Sequence, residues 1–125
     1  MIRVTVLVLL LAAGCKDKPS DTVRTVEEIT DRGWAAHELV VAAGEAQSTC
    51  AGAGAAMQKV FNANRQAFVD AIQLDRDKAR LEQATAYIEA HQDRYVDLEE
   101  RMQKLEDRCA QDATVQAAFA QMGNP

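Results

Sequence analysis

From about residue 75 to residue 109, apolar side chains return every seven positions. Leu74, Leu81, Ile88, Tyr95, Met102 and Cys109 form one row, and Ala84, His91, Leu98 and Leu105 form a second beside it. Two such rows are the seam of an amphipathic helix that turns one narrow face to a core. Off the seam, Asp97 with Arg101 and Glu100 with Lys104 stand four apart with the acid first, an order that supports an exposed helix. The pattern therefore predicts one long helix over 75–109.

The stretch 48–73 carries the same signal in spacings of four and three: Cys50, Gly54, Met57, Phe61, Asn64, Phe68 and Ala71. Ser48 or Thr49 can cap its start by accepting an orphan backbone N–H. Before it, Val23, Val26, Ile29, Gly33, Trp34, Ala36, His37, Val40 and Val41 give a less regular helical face over 21–43, with Gly44 as its stop. Asp112 can cap a short last helix, ATVQAAFAQM. No segment sustains the alternation of a strand, and proline is absent between Pro19 and Pro125. The expectation is an all-α domain over 22–125, an antiparallel bundle of three main helices with a short fourth at the C-terminus.

The first fourteen residues follow different rules. Arg3 precedes an apolar run, Val4 to Ala13, that is about ten residues long and roughly half the length needed to span a bilayer. A basic start, a short apolar stretch and small residues make up a secretory leader, to be set aside from the fold. Its end, LLAAGC, resembles the lipobox of bacterial lipoproteins, with Ala13 and Gly14 at the small positions and Cys15 at the modified cysteine; Ala12 stands where leucine is commonest. The resemblance implies cleavage before Cys15, acyl chains on Cys15, and anchorage to a membrane, because two or three chains hold where one is marginal. It covers the N-terminus only. Lys16, where an aspartate would favour retention in the inner membrane, implies the outer membrane, and residues 15–21 read as the lipidated cysteine and a polar tether.

Composition then narrows the partners. The chain has 125 residues with 14 basic and 19 acidic side chains; taking away Arg3 with the leader leaves 13 against 19, a net of −6. No basic run is present, so nucleic acid is not an expected partner. With Cys15 acylated, Cys50 and Cys109 are the two remaining cysteines; both lie on predicted seams, and export places them in an oxidising compartment, which predicts a disulfide between them. In an antiparallel hairpin that pairing puts the turn near residue 79 or 80, close to the polar stretch QLDRDKAR at 73–80.

Candidate chemistry is thin. Gly52 and Gly54 match neither nucleotide-binding glycine motif and read as small residues at a close helix approach. His37 and His91, with Met57 and Met102, are the available soft ligands, but no haem-attachment motif or paired zinc-ligand motif accompanies them. Neighbouring acids such as Asp75 and Asp77, or Glu99 and Glu100, point to different sides of a helix and share no site. The expectation is a protein that is not an enzyme, with no catalytic residues, no metal site and no cofactor. It would act as a periplasmic scaffold or protein-interaction module anchored to the membrane through Cys15, with an envelope protein as partner. Trp34 and Tyr87, if exposed together, would anchor that partner. The alternative is a small-ligand, haem or metal-binding bundle.

Overall fold

The computed structural model describes residues 24–125, so the leader, the lipobox and the lipidation site Cys15 lie outside the described residues. The described residues are all-helical: α1 (Val26–Glu45), α2 (Cys50–Ala63), α3 (Arg65–Gln73), a 3₁₀ turn (Leu74–Arg76), α4 (Lys78–Ala90), α5 (Gln92–Arg108) and α6 (Ala113–Gly123). None of these helices is long and apolar enough to cross a membrane.

Local chemistry accounts for the helix starts. Thr25 and Glu28 form a capping box at α1, each side chain facing the other's backbone N–H. Thr49 rather than Ser48 caps α2, accepting from the Gly52 N–H at 3.1 Å. Asp77 accepts from Ala79 and Arg80 at the start of α4, and Asp112 from Thr114 and Val115 at the start of α6. The Thr114 hydroxyl and these amides favour the charged form, so the Asp112 carboxyl lies below its ordinary pKa.

Two helices expected to be continuous are broken. The 75–109 segment is interrupted at His91, whose main-chain N–H turns to the Ile88 carbonyl, while its ring Nδ1 takes the Tyr87 carbonyl at 2.8 Å. The 48–73 segment is interrupted at Asn64, whose side-chain amide donates to the Val60 carbonyl at 2.8 Å. In both cases a polar side chain bonds the carbonyl four residues back, the competition with the main chain that bends helices. The turn between the arms falls at Leu74–Asp77, earlier than residue 79 or 80, because Asp77 caps the following helix.

Helix α1 is the central element, packed against α2, α3, α4 and α5, while α6 closes over α2. Contacts Gly44 to Met57 and Gly33 to Ala71 show that α2 and α3 run antiparallel to α1. The chain then returns through α4 and α5 parallel to α1. Val40, Val41, Met57, Phe61, Phe68, Leu105 and Val115 fill the core between these elements, each worth about 1.5–3 kcal/mol when fully buried.

Close approach governs two glycines. A Cβ on Gly44 would stand 2.7 Å from Leu105 Cδ2 and 2.8 Å from Met57 Sδ, so α1 ends wedged between α2 and α5. A Cβ on Gly54 would collide with Thr114 Oγ1 and stand 2.8 Å from the Thr114 backbone carbon, which sets how near α6 lies to α2. Of the two glycines expected to admit a close helix, Gly54 does so; Gly52 lies against the Thr49 cap. Beside this junction Cys50 and Cys109 are joined by a disulfide, with Cα atoms 5.5 Å apart. It ties the start of α2 to the end of α5.

Candidate functional site

The heptad rows have separate fates. Leu98 and Leu105 of the second row, with Ala84, are buried. In the first row Leu74 and Cys109 are buried, but Leu81, Ile88, Tyr95 and Met102 are less covered and, with Leu74, line one wall of a cleft of about 250 Å³. The facing wall comes from Gly33, Trp34 and His37 on α1, with Ala71 of α3 beside Gly33. Leu81 and Tyr95, both 39% exposed, stand at the mouth. The cleft exists because α3 and the α4–α5 arm both lean on α1 while covering the middle of this row only in part.

Polar groups are few and one-sided. Asp75 and Glu99 are exposed, and among the described residues they are the charged side chains of the lining, with no lysine or arginine beside them. Thr30 is buried and its hydroxyl donates to the Val26 carbonyl at 2.8 Å. His37 Nδ1 lies 2.8 Å from the Gly33 carbonyl, a contact that requires the proton on Nδ1 and leaves Nε2 as an acceptor in the neutral ring. The ring also packs on Phe68, centroids 4.6 Å apart. Burial lowers the His37 pKa, and the Gly33 hydrogen bond opposes that shift only in part, so the imidazole is neutral at pH 7. A hydrogen bond to Glu99 raises the Tyr95 hydroxyl above its ordinary pKa.

Behind the cleft lies an aromatic and ionic layer. Trp34 is buried, 6.0 Å from the Tyr87 ring and 6.3 Å from the His91 ring. Trp34 and Tyr87 are therefore not an exposed pair of anchors; they pack on each other because Tyr87 is held by its hydroxyl, which donates to Asp31 at 2.9 Å. That bond raises the Tyr87 pKa. Arg94 covers the Trp34 ring at 5.0 Å and pairs with both Asp31 and Glu38. Arg101 turns mainly to Glu45, 2.7 Å away, which raises its pKa, rather than to Asp97 at 4.0 Å.

The four soft residues do not converge. His37 and Met102 line the cleft, His91 is exposed at the helix break, and Met57 is buried under Gly44. Among the described residues no cluster of three or more histidine, cysteine, aspartate or glutamate side chains is placed to hold a metal ion. Cys50 and Cys109 are committed to their disulfide. Sequence reasoning assigned the Leu74–Met102 row to a core and missed the cleft; the signal available was the polar companions at i+4, Tyr95 with Glu99. Compared with protein-family models, curated proteins and solved structures, the chain matches none.

Proposed function

We propose that the chain is a lipid-anchored protein of the bacterial cell envelope whose helical domain is a non-catalytic interaction module. The observation that carries the domain half of this reading is the open apolar cleft between α1, α3, α4 and α5. The lipobox-like LLAAGC carries the other half, with Cys15 as the acylated residue and the outer membrane as the site of anchorage. In this reading residues 16–21 are the tether, which at full extension reaches roughly 20 Å. The helices broken at Asn64 and His91 then count as bent arms, so that α1, α2–α3 and α4–α5 make a three-arm bundle with α6 as its short fourth member. An envelope protein presenting an apolar side chain to the cleft would be the partner.

A second reading, a small-ligand site, is favoured by size. A cleft of about 250 Å³ compares with a cavity of about 150 Å³ that holds benzene. It suits a compact ligand built around one or two rings.

Native mass spectrometry of protein extracted gently from its own membranes tests both readings. The expected species carries acyl mass on Cys15, lacks two hydrogens for the disulfide, and loses its membrane association when Cys15→Ser is introduced. A chain with an unmodified Cys15 would sink the anchor, while a non-covalent adduct would separate a polypeptide partner from a small ligand by its mass.

A further inference from the structure

We propose that one acyl chain of the lipidated Cys15 folds back into the cleft, so that the protein's own anchor is its occupant; this rests on the lipid-anchor reading above. The path is short. Val26 and Ile29, at the start of α1, are buried against Leu74 and Ala84, and both of those partners line the cleft. Arg24, the first described residue, pairs with Asp70 of α3 at 3.9 Å. The chain therefore enters the fold at one end of the cleft. Eight residues, 16–23, separate Cys15 from Arg24, a span that reaches roughly 30 Å at full extension. Leu81 at the mouth stands one helical turn, about 5 Å, before Ala84, well inside that reach.

The lining suits a hydrocarbon chain. On α1 it runs from Thr30 to His37 and on the facing arm from Leu81 to Met102, along helices in parallel register, so the cleft is longer than it is wide. The hydroxyls of Thr30 and Thr85 and the Nδ1 of His37 are all spent on the carbonyl four residues back, which leaves a guest no donor from them to satisfy. A volume of about 250 Å³, against about 150 Å³ for the six carbons of benzene, takes roughly ten carbons of an acyl chain. Filling it covers Leu81 and Tyr95, both 39% exposed. A tethered chain also has an effective concentration of millimolar order, an advantage over any free ligand. With three chains on Cys15, one is spared while two hold the bilayer. A partner that presents an apolar side chain to the cleft then has to displace the anchor first.

Photolabelling identifies the occupant. Protein acylated in cells fed a palmitate analogue with a mid-chain diazirine is purified and placed in unlabelled phosphatidylcholine vesicles. In a parallel arm, unlabelled protein is placed in vesicles doped with phosphatidylcholine bearing the same acyl group. Mass spectrometry of the intact chain first reads the acyl mass on Cys15, and after irradiation the labelled peptides are mapped. The expected result is labelling of the peptides that carry Leu81, Ile88 and Met102 by the protein's own chain, at least about tenfold above their labelling from bulk lipid, the advantage of a tethered guest. Acyl mass on Cys15 with no label in those peptides would overturn the proposal and leave the anchor standing. Labelling from bulk lipid at the same level or above would replace the protein's own chain with a bilayer lipid as the guest. A chain without acyl mass would remove the anchor and the proposal together.

Discussion

Arg94 grips Glu38 across the bundle, its Nε 3.0 Å from the carboxylate, and the two residues are 56 apart in sequence. The same offset of 56 joins Tyr87 to Asp31 and Arg101 to Glu45. Positions 31, 38 and 45 on α1 thus face 87, 94 and 101 on the α4–α5 arm, one pair per heptad, in parallel register. A constant offset over three pairs is the polar flank of a helix interface whose inner edge is apolar.

The middle pair should couple modestly. Glu38 and Arg94 are each about a third exposed, and solvent-screened pairs contribute about 0–1 kcal/mol. A double-mutant cycle of Glu38→Gln and Arg94→Gln in urea should give a coupling of about 0.5 kcal/mol that shrinks with added salt. Arg94→Gln alone should cost more than Glu38→Gln, since it also uncovers the Trp34 ring. A coupling of zero at low ionic strength would mean the register is held by the apolar contacts alone.

The Cys50–Cys109 link closes a separation of 59 residues. A chain-entropy estimate values such a loop at about 4 kcal/mol. The double variant Cys50→Ala, Cys109→Ala should lower the denaturation midpoint by a corresponding amount while keeping its helical spectrum. An unchanged midpoint would show that the ends of α2 and α5 are already held by packing around Gly44.

Glycine at 54 should be far less replaceable than glycine at 123. Gly54→Ala drives a Cβ into Thr114, side chain and backbone alike, and overpacking of this kind costs about 1–3 kcal/mol. Thr114→Ala in the same chain should recover only part of that loss, because the backbone contact stays. Gly123→Ala meets nothing within 4 Å and should be neutral or slightly stabilising. Equal effects at the two sites in thermal melts would refute the close approach of α6.

Burial makes the pKa of His37 lower in the fold than its ordinary 6.5. The unfolded chain then binds the proton more readily, so the stability contributed by the neutral ring is fully present above pH 6.5. It is lost as pH falls from 6.5 through the folded value. His37→Gln, which can still donate to Gly33 without titrating, should flatten the stability curve between pH 6.5 and 5. The carboxylates sharing the cleft, Asp75 and Glu99, are the same in both proteins, so the difference between the two curves isolates His37. Parallel curves over that interval would place the ring in solvent.

Helical class, a cap at Ser48 or Thr49, the cap at Asp112, and the buried faces at Phe61, Phe68, Leu98 and Leu105 were determined by the sequence alone, because they depend on neighbours within a turn or two. The Cys50–Cys109 pairing was legible for a related reason: two cysteines on two seams leave a single partner each once Cys15 is set aside. The breaks at Asn64 and His91 were not legible, since a polar side chain at a seam position can either sit in the groove or fold back on its own helix. Packing decides between them. Nor could the heptad row Leu74 to Met102 announce itself as the wall of a cleft, for periodicity records which side chains share a face and is silent on whether another helix covers it. Only the tertiary structure decided that, by setting α1 against α4 and α5 at an offset of 56 residues and leaving Leu81 and Tyr95 of that row exposed and Ile88 and Met102 half-covered.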